Sequence, residues 1–474
     1  MRASDSTLPT FDLPANIGKA GCLLALFCAA WSTSLAQESP TKIGTRRFGD
    51  DWPVFLGPTG DSKSTEKGIR KDWTDEGLPL VWQMPLTQSY GTCTISGGRL
   101  FQFDSEPVGS PRRGKNVGKL LCLHSETGKE IWNYRFEYDY HDQYGYNNGP
   151  RCSPIVDGDR VYAYGVDGRI VCLKTKDGSE VWQKDLTAEF GVVQNFFGVG
   201  SNPVIYGDKL IVMVGGSPKQ TRIDMALGNG SGIVALDKHT GKVEYKLSDE
   251  LASYASLKLV QSRNRAWCFS FSRGGLLGFD PETGKEDFFY PWRATIIESV
   301  NASVPVVWGK NVFISETYGP GSTLLDFGKI TDGNARVVWK DEKRSRDKAM
   351  QTHWNTCVYH DGYLYGSSGR HSYNAELRCI EAATGKVMWS KAGLSRCSLL
   401  YVDGHLVCLS EVGLLLLLKA TPDGYTEVAE KMFRDDTRPL LRSPAWAAPV
   451  LSHGLLYLRG ADRLLCAELI ANKD

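Results

Sequence analysis

Six short segments carry residue types that could recognise a small polar ligand: "YNNGPR" (146–151), "QNFFGVGSN" (194–202), "ESVNAS" (298–303), "THWNT" (352–356), "SRCS" (395–398) and "RSPAW" (442–446). Arginine presents a fixed planar fork of donors to a carboxylate or phosphate, so Arg151, Arg396 and Arg442 are the candidate charge partners. Trp354 and Trp446 offer broad faces for stacking. Tyr146, His353 and the amides of Asn147, Asn148, Asn195, Asn202, Asn301 and Asn355 can complete a hydrogen-bonding rim. The combination suits a small anionic or carbohydrate-like ligand. The segments lie far apart in the chain, so only the fold can bring them together.

Other chemistry finds less support. There is no C-x-x-C, no C-x-x-C-H and no adjacent cysteine pair, and the eight histidines show no ligand spacing. A net charge of +1 gives no field to attract nucleic acid or an anionic membrane. With 42% hydrophobic and 23% charged residues, the chain is globular with a sizeable core. Arg2 and Lys19 precede an apolar run, "AGCLLALFCAAW" (20–31), and small residues lead to Ala36. That order predicts a signal peptide cleaved near Ala36 and an exported, periplasmic or secreted protein. Neither Cys22 nor Cys28 sits in a lipid-attachment setting. A monomer without a membrane span is the expectation.

The elements that must position the six segments are legible as a repeat. "CLHSETGKEIW" (122–132), "CLKTKDGSEVW" (172–182), "ALDKHTGKVEY" (235–245), "GFDPETGKEDF" (278–288) and "CIEAATGKVMW" (379–389) share one spacing. Trp82, Trp132 and Trp182 are 50 residues apart, as are Trp339 and Trp389. A self-similar unit of that size indicates a propeller or solenoid. Each unit reads as four short strands, with turns such as Asp157-Gly158 and Asp167-Gly168, and no helical stripe competes. Glycines of the first hairpin recur at 98, 158, 207, 309, 362, 404 and 454, and "QSRNRAWCFSFSRGGLLGFD" (261–280) fills the remaining interval, giving eight units.

Such blades must stack radially to bury both faces. The final unit (448–469) holds only three strands, whereas "LPLVWQMPL" (78–86) is a lone outer strand, so pairing the two would close the ring and remove both edges. The turn glycine takes positive φ, and the aromatic that follows docks on the neighbouring blade. Trp82, Trp132, Trp182, Tyr245, Phe288, Trp339 and Trp389 are the predicted docking residues. The cysteines that open the repeat occupy small, buried strand positions. The expected organisation is a signal peptide (1–36), an N-terminal extension or linker (37–77) and an all-β, eight-bladed propeller of four-stranded antiparallel blades (78–470).

The pattern A-x-D-x-x-T-G-K-x-x-W resembles the tryptophan-docking motif of the pyrroloquinoline-quinone-like, or quinoprotein alcohol dehydrogenase-like, eight-bladed β-propellers. "DWPVFLGPTGD" (51–61) also resembles an opening common in exported members of that group. The resemblance implies the fold but leaves function between two readings. Dehydrogenases of this family carry a quinone, PQQ, beneath a vicinal disulfide, a calcium ion and an aspartate base. Here the vicinal cysteines are absent, and Glu298 with Asn301 are the residues that could offer calcium oxygens. The other reading is similar to the propeller lipoproteins of outer-membrane β-barrel assembly, which hold partners. An exported, non-catalytic binding or scaffold propeller is therefore the expected function, with no cofactor and with a ligand site at one mouth of the channel. A PQQ- and calcium-dependent dehydrogenase is the alternative.

Overall fold

In the clearest repeat the middle strands are apolar runs and the outer strand is polar apart from one aromatic, a pattern that suits a blade packed between two neighbours. Arg160–Tyr164 and Arg169–Lys174 bury nearly every residue, whereas Glu180–Asp185 fully buries only Trp182. A computed structural model describes residues 41–74, 76–109, 115–193, 195–217, 224, 226–262, 265–342 and 347–472. The expected signal peptide and its cleavage position, with Cys22 and Cys28, lie outside the described residues.

The described strands form eight four-stranded antiparallel sheets and one small two-stranded sheet. Blades 1 to 8 have their inner strands at Thr94–Ser96, Ile155–Asp157, Val204–Tyr206, Lys258–Ser262, Val306–Trp308, Val358–His360, Cys397–Val402 and Val450–Ser452. In the first seven blades the strands follow chain order. In blade 8 the fourth strand is Leu80–Pro85, paired antiparallel with Arg463–Glu468, so the N-terminal strand closes the ring as the sequence predicted. A buried ion pair between Arg459 of blade 8 and Asp104 of blade 1, 3.6 Å apart, crosses the same seam.

The docking aromatics reach sideways as their spacing implied. Trp82, Trp132, Trp182, Trp339 and Trp389 donate their indole N–H to Ser125, Thr175, Lys238, Ala382 and Thr421 carbonyls at 2.8, 3.1, 3.0, 3.0 and 2.9 Å. The Tyr245 hydroxyl does the same to Pro281 at 2.8 Å. Phe288 has no donor; it is buried against Phe269 between blades 4 and 5.

The repeat's glycine is required twice. At Gly178 φ is +73°, and a Cβ would lie 2.6 Å from the Trp132 ring of the preceding blade. Gly128, Gly241, Gly284 and Gly385 stand in the same relation to Trp82, Trp182, Tyr245 and Trp339. The small residue opening each copy is explained by register: Cys122, Cys172, Ala235, Gly278, Cys379 and Cys466 lie directly opposite Trp132, Trp182, Tyr245, Phe288, Trp389 and Trp82. A small residue there leaves room for the facing ring to lean towards the next blade; blade 5, with Leu324 opposite Trp339, departs from the pattern. All ten described cysteines are buried free thiols.

Two turns differ from their expected placement: Asp167-Gly168 ends a four-residue connection, 165–168, in which Asp167 lacks positive φ. In the other, Asp157 pairs with Arg160 in the ladder, so the turn is Gly158-Asp159 and only its glycine has positive φ. Asp403-Gly404 and His453-Gly454 do carry positive φ at both residues. The described residues form one compact unit, in which those of the stretch expected as extension or linker are packed. Ile43 N–H bonds to Gly97 O at 2.9 Å, and Arg46 pairs with Glu468 on the hairpin end of the ring. Among the described residues no helix is long and apolar enough to cross a membrane.

Candidate ligand site

Four residues before the inner strand of most blades, the chain turns from the periphery into the channel. Tyr90, Arg151, Gly200, Tyr254, Ala302, Trp354 and Trp446 occupy that position, and all of them line one cavity of about 440 Å³. Segments that converge on one end of a rigid ring are where binding residues collect.

The walls form a continuous aromatic arc. Ring centroids lie 5.4 Å apart for Phe197–Tyr254, 5.9 Å for Tyr146–Phe197, 5.8 Å for Tyr146–Trp446, 4.9 Å for Trp354–Trp446 and 4.9 Å for Tyr90–Trp446. The arc continues through His353, 5.3 Å from Trp354, to Tyr318 at 5.7 Å. Tyr144 and Tyr146 are more than half exposed at the rim.

The arginines are held from behind. Arg396 lies 4.3 Å over the Trp354 ring, and its Nη2 donates to Glu411 Oε2 at 2.6 Å. The Trp446 indole N–H donates to the same oxygen at 3.0 Å. Burial alone would raise the Glu411 carboxyl, but hydrogen bonds from Arg396, Ser372 and Trp446 outweigh it and hold the group at about 2. Arg151 donates to Asp142 at 2.7 Å and lies between the Tyr90 and Tyr140 rings. Arg370, exposed and 4.5 Å over the Tyr318 ring, makes no ion pair among the described residues.

His353 is an unprotonated element of this wall. Burial, followed by the charges of Arg396 and Arg370, pushes its imidazole down to about 3, and its Nε2 lies 3.1 Å from the Tyr318 hydroxyl. Burial in turn pushes Tyr318 up to about 12. Neither group is poised near neutrality as an acid or base. Glu316, just behind Tyr318, is the opposite case: burial outweighs the N–H donors around it and raises its carboxyl to about 7.

Of the residues singled out from sequence, Tyr146, Arg151, Asn202, His353, Trp354, Asn355, Arg396 and Trp446 line the cavity. Five do not, each for a local reason. Arg442 is 65% exposed and paired with Asp462 at 3.3 Å. Asn147 accepts from the Gly149 N–H, and Asn148 accepts from the Asp142 N–H, so both shape their own loop. Asn195 donates to Ala252 O and accepts from Arg273. Asn301 is buried, with its amide donating to Ser272 O and Trp292 O. Tyr90, Tyr254, Tyr318, Arg370 and Glu411 were missed. Tyr90 and Tyr254 share the offset of Trp354 and Trp446, so spacing to the inner strand was the available signal.

Comparisons with known proteins agree on the fold. A family model described as "Outer membrane protein assembly factor BamB" matches residues 79–224 and 147–391. A curated outer membrane protein assembly factor BamB from Marinobacter adhaerens is 30% identical over 95 residues, which is 20% of this chain and 19% of that protein. The matched region thus spans about a fifth of that relative's length. The crystal structure of BamB from Moraxella catarrhalis superposes with a TM-score of 0.55 at 12% identity, covering 84% of this chain and 99% of the other. Quinohemoprotein alcohol dehydrogenase from Comamonas testosteroni gives 0.51 at 13% identity, covering 90% and 81%. At such identities the two superpositions establish the fold and nothing finer.

Proposed function

The chain belongs to the family whose model is described as outer membrane protein assembly factor BamB, and from that premise we propose that it is an exported, non-catalytic binding or scaffold propeller whose ligand docks in the aromatic cup. The observation that carries this reading is the aromatic arc from Tyr254 to Tyr318, with Arg396 laid across Trp354. Trp354 and Trp446 link blades through their bonds to Trp446 O and Glu411, but Tyr144 and Tyr146 leave more than half of their surface exposed at the channel mouth, and exposed apolar patches of this kind mark interaction sites.

The quinoprotein alternative receives little support from the donor set. A calcium-bound quinone needs several oxygen ligands around one point. Among the described residues Glu298 is the only carboxylate lining the cup, and the Asn301 amide is committed elsewhere. Among the described residues no group of three or more His, Cys, Asp or Glu could hold a metal ion. The test is direct: purified mature protein is mixed with PQQ and calcium, and reduction of a dye acceptor by alcohols or sugars is followed. No calcium-dependent turnover is expected. Turnover that depends on both additions would replace this reading with the dehydrogenase.

A further inference from the structure

Residues 50–64 enter the channel. Asp51 accepts from Ser96 Oγ at 3.2 Å and from Gly97 N–H at 3.0 Å, and Trp52 exchanges both backbone hydrogen bonds with Ile95 at 2.9 Å. Pro53 O accepts from Val156 N–H at 2.9 Å. The carbonyls of Thr59 and Gly60 accept from the buried ammonium of Lys258 at 2.7 and 2.6 Å. Ser62 and Ser64 bracket Tyr401 with two bonds of 2.9 Å. These partners lie on the inner strands of blades 1, 2, 4 and 7, except Gly97, which follows one. A loop bonded to inner strands from several directions fills the channel between them.

The loop is also built to hold its shape. Ser62 N–H closes on Leu56 O at 2.8 Å, Leu56 takes φ +62°, and a Cβ on Gly57 would come 2.8 Å from the Trp52 ring. At its summit, Phe55 and Leu56 line the cup.

The deeper polar groups of the cup are already engaged. Thr92 Oγ1 bonds to Ser153 Oγ at 2.8 Å, and Asn202 is tied to Ser153 N and Ser256 Oγ at 2.6 and 2.8 Å. Asn355 donates to Ser367 O at 3.0 Å, and Thr356 Oγ1 accepts from Val304 N–H at 3.2 Å. Buried backbone groups need partners, so a polypeptide segment entering this cup would leave its own N–H and C=O groups unsatisfied. A hydrocarbon chain carries no such requirement. Arg151 and Arg396 have their own carboxylates, and among the described residues Arg370 at the exposed rim is a cup guanidinium without one.

We propose that residues 50–64 are a built-in plug that makes the channel a one-ended cup, and that the cup takes an amphiphilic carboxylate, apolar end first against Phe55 and Leu56, with its anion at Arg370. The proposal rests on the reading that the cup is the ligand site. It follows that ligand enters and leaves by one mouth and nothing threads the ring.

Calorimetric titration of the full mature chain with octanoate and with octylamine tests it, using Phe55→Ala, Trp354→Ala and Arg370→Ala variants whose folding is checked by thermal melting. Octanoate is expected to bind at least about tenfold tighter than octylamine, and Phe55→Ala to weaken it roughly tenfold. Arg370→Ala should erase the preference between the two. Absence of octanoate binding, or tighter binding of octylamine, overturns the ligand class. If Trp354→Ala abolishes binding while Phe55→Ala does nothing, the cup stands and the floor assignment falls. If Trp354→Ala has no effect on bound octanoate, the cup itself is not the site. Hydrogen exchange on the unaltered protein provides the second arm. The amides of Trp52, Gly57, Gly60, Ser62 and Ser64 should exchange as slowly as those of the inner strands, and exchange as fast as an exposed tail would overturn the plug.

Discussion

Two aromatic belts run through this molecule, and they are made differently. In the docking belt Trp82, Trp132, Trp182, Tyr245 and Trp339 each lie on a turn glycine of the next blade, and these five and Trp389 give their one polar atom to a carbonyl there. In the cup, rings contact other rings and guanidinium groups, and Tyr144 and Tyr146 remain 53% and 57% exposed. The first belt is the output of a repeat and has one job, blade adhesion. The second comes from connections that do not repeat in sequence, and it displays apolar surface that folding alone leaves unexplained.

The comparison breaks most visibly at the ring's seam. A chain shortened to begin at Ser89 loses the fourth strand of blade 8 and the Trp82 contact, exposing an apolar edge. It should lose more than about 5 kcal/mol and aggregate, as size-exclusion chromatography and calorimetry would record. Melting and solution behaviour equal to those of the mature protein would contradict strand closure.

A pair of glycines sharpens the docking belt. Gly178 and Gly404 have φ of +73° and +75°, but only Gly178 faces a ring; nothing lies within 4 Å of a Cβ at Gly404. Gly404→Ala should cost about 1–2 kcal/mol from backbone strain. Gly178→Ala should cost about 3 kcal/mol or more, because Trp132 must move. Equal costs in urea denaturation would mean that the glycine serves the turn alone.

The cup belt has its own signature in pH. The folded Glu411 carboxyl lies near 2, below the unfolded value of about 4.3, so its contribution is complete above pH about 5 and is lost as pH falls towards 2. The folded Glu316 carboxyl lies near 7, above the unfolded value, so stability falls as pH rises from about 4 to 7. Glu411→Gln should therefore flatten the acid limb of the melting curve, and Glu316→Gln should remove the decline towards neutrality. Profiles that do not change would show that these environments are not formed in solution.

The smallest effect belongs to Arg442, the sequence candidate that lies outside the cup. Arg442→Ala should alter stability by less than about 0.5 kcal/mol and leave the mid-point of octanoate titration where it was. A large loss of binding would restore it to the site.

The sequence by itself determined the ring. Trp spacing of 50 residues, the turn glycines and the lone strand at 78–86 specify eight blades and their closure, because backbone periodicity and a docking contact between neighbours are local rules written once per repeat. It also determined which connections converge, and Trp354, Trp446, Arg151 and Arg396 were found that way. Which side chains of those connections face the channel was decided only by tertiary structure. Asn301 and Trp354 look equally eligible in a sequence. Asn301 spends its amide on Ser272 and Trp292, whereas Trp354, four residues before its inner strand, faces the cavity. Likewise nothing local in "DWPVFLGPTGD" shows that it fills the channel, since its partners lie far along the chain, Lys258 199 residues from Thr59 and His453 402 residues from Asp51. Side-chain direction in an irregular segment is set by whichever distant group satisfies its polar atoms, and those partners exist only once the ring has closed.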